Sequence, residues 1–269
     1  MTVSSNWFLA YATLGVFSGF CAGMFGAGGG AVMVPVLTSM FVAQAFPQEH
    51  LLHLALGSSM ATIVFTSMSS LWAHHRRGAV LLPVVIRITP GIVVGTMLGS
   101  QLASHVSTKP LGIFFAVFMV AVALQIFANV KAKAYRELPG VFGLSIAGVA
   151  IGGVSALVAI GGGSLSVPFM TWCNVRVHQA IGTSAAIGLP IAVSGAAGYL
   201  MSGWNHAGLP EGSAGYLYLP AIAGMSLTSV AAAPLGAKLS HSLPAATMHK
   251  LFATLLILLA AKMIYTLFA

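Results

Sequence analysis

Long runs of apolar residues, separated by short polar stretches, dominate this chain of 269 residues. Six of these runs are about 20 residues or longer, enough for a helix to cross a hydrocarbon core of about 30 Å. They cover 51–72, 79–104, 110–130, 178–201, 214–239 and 245–268. The pattern therefore predicts an all-α polytopic membrane protein.

Two further apolar segments, 7–43 and 140–173, are too long for a single span, and each is interrupted by three consecutive glycines. The interruptions are Gly28-Gly29-Gly30 and Gly161-Gly162-Gly163. Glycine runs break helices, and a broken helix at membrane depth is tolerated only where it lines a cavity or is buried in protein. Paired interruptions in the two halves of a chain point to the binding site of a transporter. The sequence therefore predicts a transporter whose site lies at these breaks.

The two breaks belong to a longer internal repeat. The segment from His53 to Ser59 matches the segment from His178 to Ser184. Three further matches follow in the same order, Leu82-Pro83 with Leu219-Pro220, Gly99 with Gly236, and Phe115 with Phe252. We therefore predict two copies of one unit, 1–130 and 139–269, joined by a charged cytoplasmic linker at 131–138.

Loop charges favour one of two paths through the breaks. If the chain passes straight through, each copy crosses four times and the loop cations divide almost evenly between the two faces. If the chain turns back, the second copy is inverted, and Lys109 alone opposes eight loop cations on the other face: Arg76, Arg77, Lys131, Lys133, Arg136, Arg176, Lys238 and Lys250. This asymmetry is typical of cytoplasmic loops. We therefore predict two inverted repeats in a multi-pass protein of the bacterial plasma membrane, with both termini outside.

Composition excludes a soluble domain, because 58% of the residues are hydrophobic and only 5% are charged. The net charge of +8 comes from cations scattered singly between apolar runs, so loop orientation explains it better than a nucleic-acid partner. Cys21 and Cys173 lie in or beside apolar segments, which argues against a disulfide framework.

The glycine breaks are the first candidate anion site. Helices that restart near Ala31 and Ser164 would present unpaired N–H groups and a positive dipole end to an anion. The substrate-binding candidates at the breaks are Gly28, Gly29, Gly30, Ala31, Gly161, Gly162, Gly163 and Ser164. The alternative is that these glycines only allow helices to cross closely, the role expected of Gly91, Gly95 and Gly99.

Four hydroxyl residues related by the repeat form the second candidate group: Ser58, Ser59, Thr183 and Ser184. A hydroxyl can donate to an oxyanion without bringing a charge into the bilayer. The alternative role is a bond back to the helix carbonyl four residues earlier.

Arg87 is the third candidate for substrate binding. It lies nine residues past Gly78, which corresponds to a depth of about 13 Å along a helix. A cation near the midplane is costly unless it is paired or faces water. Because no acidic side chain is placed to pair with Arg87, its partner is an anionic substrate or backbone carbonyls.

Histidines supply the last candidates. His53 and His178 are related by the repeat and precede the hydroxyl pairs, which favours interfacial capping, with proton handling as the alternative. All nine histidines fall in loops or at the ends of segments, so we predict no metal site and no cofactor.

At these residues the chain resembles the TauE/SafE sulfite exporter family. The matching features are Gly23 to Gly30 followed by Val34-Pro35, Ile160 to Ser164 followed by Val167-Pro168, and the Ala-x-Gly-Ser/Thr-Ser segments at 55–59 and 180–184. The resemblance covers nearly the whole length. It implies a plasma-membrane permease for sulfite, organosulfonates such as sulfoacetate, and related small anions.

No intramembrane carboxylate is present to form a proton relay. This favours efflux driven by the membrane potential, which supplies about 2.3 kcal/mol per charge per 100 mV. Sodium coupling through unwound carbonyls stays an alternative. The competing functions are an anion channel, a permease for another small anion, and an intramembrane hydrolase that uses Ser164 or Ser184 with His178. The hydrolase lacks an orienting acid, so we predict that the protein is not an enzyme. The oligomeric state is left open.

Overall fold

A computed structural model of the chain describes residues 5–25, 29–128, 137–240 and 245–268. Its elements within these ranges are α1 Ser5–Phe25, α2 Gly30–Ala43, α3 Leu51–Arg76, α4 Leu82–His105, α5 Thr108–Phe127, α6 Val141–Val158, α7 Gly163–Trp172, α8 Val177–Gly203, β1 Ser213–Ala214, β2 Leu217–Tyr218, α9 Leu219–Ser240 and α10 Ala245–Phe268. The two strands form an antiparallel hairpin with Ser213 opposite Tyr218. Eight of the described helices are long and apolar enough to cross a membrane, and α2 and α7 are the short ones. The predicted all-α polytopic membrane protein is confirmed.

Two helices begin later than the hydropathy pattern predicted. The apolar run at 214–239 opens with the β1–β2 hairpin, so α9 begins at Leu219. The run at 79–104 becomes helical only at Leu82. The chain turns before this point through Gly78, whose φ of +64° is a left-handed conformation that glycine adopts readily.

The starts of α1, α3 and α9 lie together at one end of the molecule, which we call the first end. Ser58, early in α3, accepts a hydrogen bond of 2.9 Å from the backbone N–H of Tyr218, just before α9. Gly224, early in α9, lies so close to Tyr11 of α1 that a Cβ at Gly224 would come within 2.9 Å of the Tyr11 Cβ. These contacts bring helices from both halves of the chain to one place.

The starts of α4, α6 and α8 lie together at the other end, the second end. Thr183, early in α8, accepts a hydrogen bond of 2.9 Å from the backbone N–H of Leu81, just before α4. Ser145, early in α6, donates a hydrogen bond of 3.3 Å to the carbonyl oxygen of Arg87, early in α4. This arrangement repeats that of the first end with the two halves exchanged.

The long helices α3 and α8 cross the centre of the molecule in opposite directions. Gly57 near the start of α3 contacts Tyr199 near the end of α8, and Ser67 further along α3 lies beside Gly188. In an 18-residue apolar stretch of α3, 83% of the residues are buried. In the corresponding stretch of α1 the buried share is 33%. Because α3 and α8 are equivalent in the sequence repeat, their opposite directions are what an inverted repeat requires. The inversion itself stays a prediction.

Glycine-rich faces join the outer helices in pairs taken from different halves. Helix α1 packs against α9, and α6 packs against α4. Side chains at Gly15 and Gly19 would overlap the backbone of α9, and side chains at Gly91 and Gly95 would overlap the backbone of α6. Close helix crossing is therefore the role of these glycines.

At both interruptions the chain turns back. Helix α2 begins beside Ser18, because a Cβ at Gly29 would lie 2.9 Å from the Ser18 carbonyl oxygen. It ends beside Tyr11, whose Oη accepts a hydrogen bond of 2.6 Å from the Gln44 side-chain amide. Helix α2 thus returns along α1 toward the first end. Since α6 and α8 both start at the second end, α7 must return there as well. This is the path that the loop charges favoured.

Candidate functional site

Both glycine breaks lie beside the middle of the central helices. Gly30 at the first break packs against Ile63 of α3, and Gly162 at the second break packs against Ile187 of α8. Gly30 also contacts the carbonyl oxygen of Ala159, three residues before Gly162. The two predicted break segments are therefore brought together at the centre of the molecule.

The first break is closed. Gly29, Gly30 and Ala31 are buried, and a side chain at Gly30 would overlap the carbonyl oxygen of Ala159. Ala159 ends α6 with a φ of +45°, a left-handed conformation that residues other than glycine rarely adopt. With this carbonyl against Gly30, the described part of the first break is tightly packed. Gly28, also predicted to bind substrate, lies outside the described residues.

The second break is more open. Gly161 and Gly162 are buried, but Gly163 and Ser164 at the start of α7 are only half-buried. The first turn of a helix leaves its N–H groups without acceptors inside the helix, and the backbone bond from Ser166 to the Gly162 carbonyl, 2.8 Å long, starts the helical pattern here. The N–H groups that precede Ser166 therefore have no acceptor within α7.

Two serines form a hydrogen-bond chain next to this helix start. The Ser166 hydroxyl lies against the Gly162 carbonyl and donates a bond of 3.0 Å to Ser184 Oγ on α8. The single proton of Ser166 is shared between these two acceptors, and the contacts hold the Ser184 oxygen beside the start of α7. Ser166 was not predicted from the sequence, although its place in the repeated Gly-Gly-Gly motif was a signal.

Ser67 of α3 completes the group of donors. It is only 8% exposed, and no hydrogen bond of its hydroxyl is found among the described residues. Its Oγ lies 3.3 Å from the point where a Cβ at Gly188 would be, and that point is 3.8 Å from the Gly162 nitrogen. Ser67 thus lies near the second break. The sequence analysis missed it, because its importance depends on which part of α8 crosses α3.

Ser58 and Thr183 bond to backbone at the two ends of the molecule. Each uses its side-chain oxygen to accept the backbone N–H at the start of α9 or α4. Ser59 is buried, and its hydroxyl has no hydrogen-bond partner in the described part of the chain. Of the four predicted hydroxyl residues, Ser184 is the one that the structure places at the second break.

Arg87 is not brought to the breaks. It is the sixth residue of α4, so it lies about 8 Å along the helix from the second end. The predicted depth was counted along a helix from Gly78, whereas α4 begins at Leu82. The Arg87 side chain is exposed on the same outer surface as Ile86 and Val94. From this depth a long side chain can reach the membrane interface.

The repeat-related histidines differ in their surroundings. His53 is buried, and its Nε2 donates to the carbonyl oxygens of Ala103 at 3.0 Å and Val106 at 3.1 Å, so it caps the end of α4. His178 is exposed at the start of α8 and makes no hydrogen bond to Ser164 or Ser184 in the described structure. A nucleophile and base in contact, which the hydrolase alternative needs, are therefore not formed here.

A further aromatic and histidine cluster lies at the first end. The rings of His50, His53 and His206 surround Tyr216, with ring centroids 5.0–5.7 Å from that of Tyr216. Burial of the ring, aided by the nearby His206, lowers the pKa of His50. No group of three or more metal-ligating side chains occurs among the residues that the structure describes.

Two helix breaks that meet between antiparallel central helices are the architecture of a membrane transporter. The sequence profile of the family described as sulfite exporter TauE/SafE matches residues 11–263. The chain therefore belongs to the TauE/SafE family, as its resemblance indicated.

Proteins similar in sequence are described as probable membrane transporters. A probable membrane transporter protein of Haemophilus influenzae is 35% identical over 255 residues, which cover 93% of this chain and 95% of the relative. Another of Bacillus subtilis is 27% identical, covering 69% of this chain and 76% of the relative. A third, of Methanocaldococcus jannaschii, is 22% identical with coverages of 86% and 85%. No solved structure matches. The protein is a multi-pass membrane transporter of the plasma membrane.

Proposed function

We propose that this transporter exports a small sulfur-containing anion, sulfite or an organosulfonate such as sulfoacetate, and binds it at the second break. The observation that carries the proposal is the meeting of three kinds of donor at the centre of the molecule. They are the start of α7 at Gly163 and Ser164, the Ser184 hydroxyl and the Ser67 hydroxyl. The family description supports the substrate class.

Neutral donors suit an oxyanion at this depth. Hydrogen bonds to charged groups are worth about 1.5–3 kcal/mol each, so several donors can replace water around an anion without a buried cation. In the proposed role, Gly163 and Ser164 donate backbone N–H groups, while Ser67 and Ser184 donate hydroxyl protons. Ser166 orients Ser184, and Gly161 and Gly162 let the anion approach the backbone closely.

The proposed orientation places the second end in the cytoplasm. In the described ranges, the cations of the second end are Arg76, Arg77, Arg87, Arg176, Lys238 and Lys250, and those of the first end are Lys109 and Lys262. Cytoplasmic loops carry the excess of Lys and Arg. Both termini then lie outside, and the units 1–130 and 139–269 are inverted copies.

We propose the membrane potential as the driving force. The three glutamates, Glu49, Glu137 and Glu211, all lie outside the helices. A carboxylate proton relay therefore has no members in the described helices. An anion that leaves a negative interior gains about 2.3 kcal/mol per charge per 100 mV, which is sufficient to drive export.

Sulfite efflux from proteoliposomes tests this site. Ser184→Ala and Ser67→Ala each remove one hydrogen bond to the anion, so we expect the half-saturating sulfite concentration to rise at least about tenfold. Ser202→Ala is the matched control, because Ser202 is also on α8 but bonds to its own helix at the Gly198 carbonyl. Arg87→Gln should also leave the half-saturating concentration unchanged.

Unchanged affinity in both serine variants would place the anion elsewhere. Flux that does not respond to an imposed potassium-diffusion potential would contradict potential-driven export. A continuous, non-saturating current in planar bilayers would instead identify an anion channel.

A further inference from the structure

An apolar groove of about 580 Å³ opens on the outer surface between α4 and α8. We call it the α4–α8 groove. Its lining includes Leu71, Leu82, Val93, Met97, Ala186 and Val193. The volume lies within the range of about 300–1,000 Å³ that is usual for small-molecule sites.

The groove runs from the second end into the membrane. Its α4 side extends from Leu82 to Met97, a distance of about 22 Å along the helix. One leaflet of the hydrocarbon core is about 15 Å deep, so the groove is long enough to hold one lipid acyl chain along most of its length.

Basic residues surround the mouth of the groove at the second end. Leu71 lines the groove, and His74 follows it one helical turn later. His74, His75 and Arg76 form the last turn of α3, and Arg77 follows directly at its end. The mouth on the α3 side is therefore positive.

The α8 side of the mouth is basic as well. Gln179 precedes the groove residue Ala186 by two helical turns and so lies on the same face of α8. Arg176 Nε donates a hydrogen bond of 3.3 Å to Gln179 Oε1. Arg176 is therefore held toward the mouth from the second side.

We propose that the α4–α8 groove binds an anionic phospholipid, with one acyl chain in the groove and the headgroup phosphate beside Arg77 and Arg176. The charge of the mouth selects the occupant. A basic pocket between membrane helices attracts an anionic headgroup, whereas a zwitterionic lipid gains little from it. The site is separate from the anion site at the second break, since it lies on the outer surface.

Lipid titration of the full-length protein in micelles tests the proposal, with phosphatidylglycerol and phosphatidylcholine of identical acyl chains as probes and native mass spectrometry as the readout. We expect tighter binding of phosphatidylglycerol. Arg77→Gln and Arg176→Gln should each lower its affinity about fivefold and leave phosphatidylcholine unaffected.

A matched pair on α4 separates the groove from the charged surface. Val93 lines the groove, while its neighbour Val94 is 53% exposed and lies outside it. Val93→Trp should abolish the preference for phosphatidylglycerol with all cations still in place, and Val94→Trp should retain it. Because both residues are exposed at the surface, both variants should fold.

Three results would overturn the proposal. The first is equal affinity of the parent for both lipids. The second is a Val93→Trp variant that keeps the preference. The third is efficient cross-linking of Val193→Cys chains to each other in bilayers, which would show that a second copy of this chain covers the groove.

Discussion

Neighbouring hydroxyl residues on α8 point in different directions and have different partners. Successive helix positions are about 100° apart, so Thr183 faces the start of α4 while Ser184 faces α7. Thr183 fixes where α4 begins, and Ser184 contributes to the proposed anion site. Two adjacent residues therefore have different roles: Thr183 positions a helix, and Ser184 is proposed to donate a hydrogen bond to the substrate.

Gly30 allows the closest approach between the two breaks, and its substitution has a defined cost. A methyl group at Gly30 would overlap the carbonyl oxygen of Ala159 and crowd Ile63. We expect Gly30→Ala to destabilise the protein by about 1–3 kcal/mol, as overpacking does in well-packed cores. The measurement is the thermal unfolding midpoint in micelles, which should fall by several degrees.

Gly140→Ala is the control for Gly30→Ala, because a Cβ at Gly140 would meet nothing within 4 Å. Its unfolding midpoint should match that of the parent. An unfolding midpoint of Gly30→Ala equal to that of the parent would mean that the contact with Ala159 is not maintained.

At the scale of elements, the two returning helices are held unequally. Helix α2 packs against α3 and α10, and Ser39 Oγ lies 3.2 Å from Thr266 Oγ1 of α10. Helix α7 packs mainly against α8. In the sequence repeat α5 is the equivalent of α10, and no comparable contact between α7 and α5 is found in the described structure. With 10 residues, α7 is also shorter than α2, which has 14. Fewer buried contacts make local opening less costly.

Helix α7 should therefore exchange its amide hydrogens faster than α2. We expect peptides within 163–172 to reach a given deuterium level well before peptides within 30–43, measured by hydrogen exchange with mass spectrometry. Peptides from the central part of α3, which is the most buried helix, serve as the protected reference. Equal protection of α2 and α7 would contradict the inference that α7 is the more weakly held half.

For the whole molecule, the proposed orientation predicts which loops an external reagent can reach. Cysteines introduced at Arg176 and Lys250 should be shielded from an impermeant thiol reagent added outside, while cysteines at Lys109 and His206 should be labelled. The native Cys21 and Cys173 are buried, so they give little background. The readout is the mass shift of protein labelled in right-side-out vesicles.

Permeabilised vesicles supply the control for labelling, since all four positions should react there. External labelling at Arg176 and Lys250 would contradict a cytoplasmic second end. Labelling of only one of these two would contradict the two membrane crossings, α8 and α9, that separate them.

Much of this fold is predictable because its main signals are local. An apolar run long enough to span a bilayer predicts a helix wherever it lies, and a glycine run predicts a break. Ser67 could not be found this way, because its position near the second break depends on where α3 crosses α8. The start of α4 could not be found for a similar reason, since the backbone N–H just before it bonds to Thr183, 102 residues away in the chain.

The bond between Ser58 and Tyr218 has a consequence for synthesis of the protein. Its two partners are 160 residues apart in the chain. At about 5–20 residues per second, a ribosome needs about 8–30 s to make that stretch. Until α9 has been made, Gly15 and Gly19 of α1 also lack the helix against which they pack. The newly inserted first half therefore presents an uncovered glycine face to the lipid.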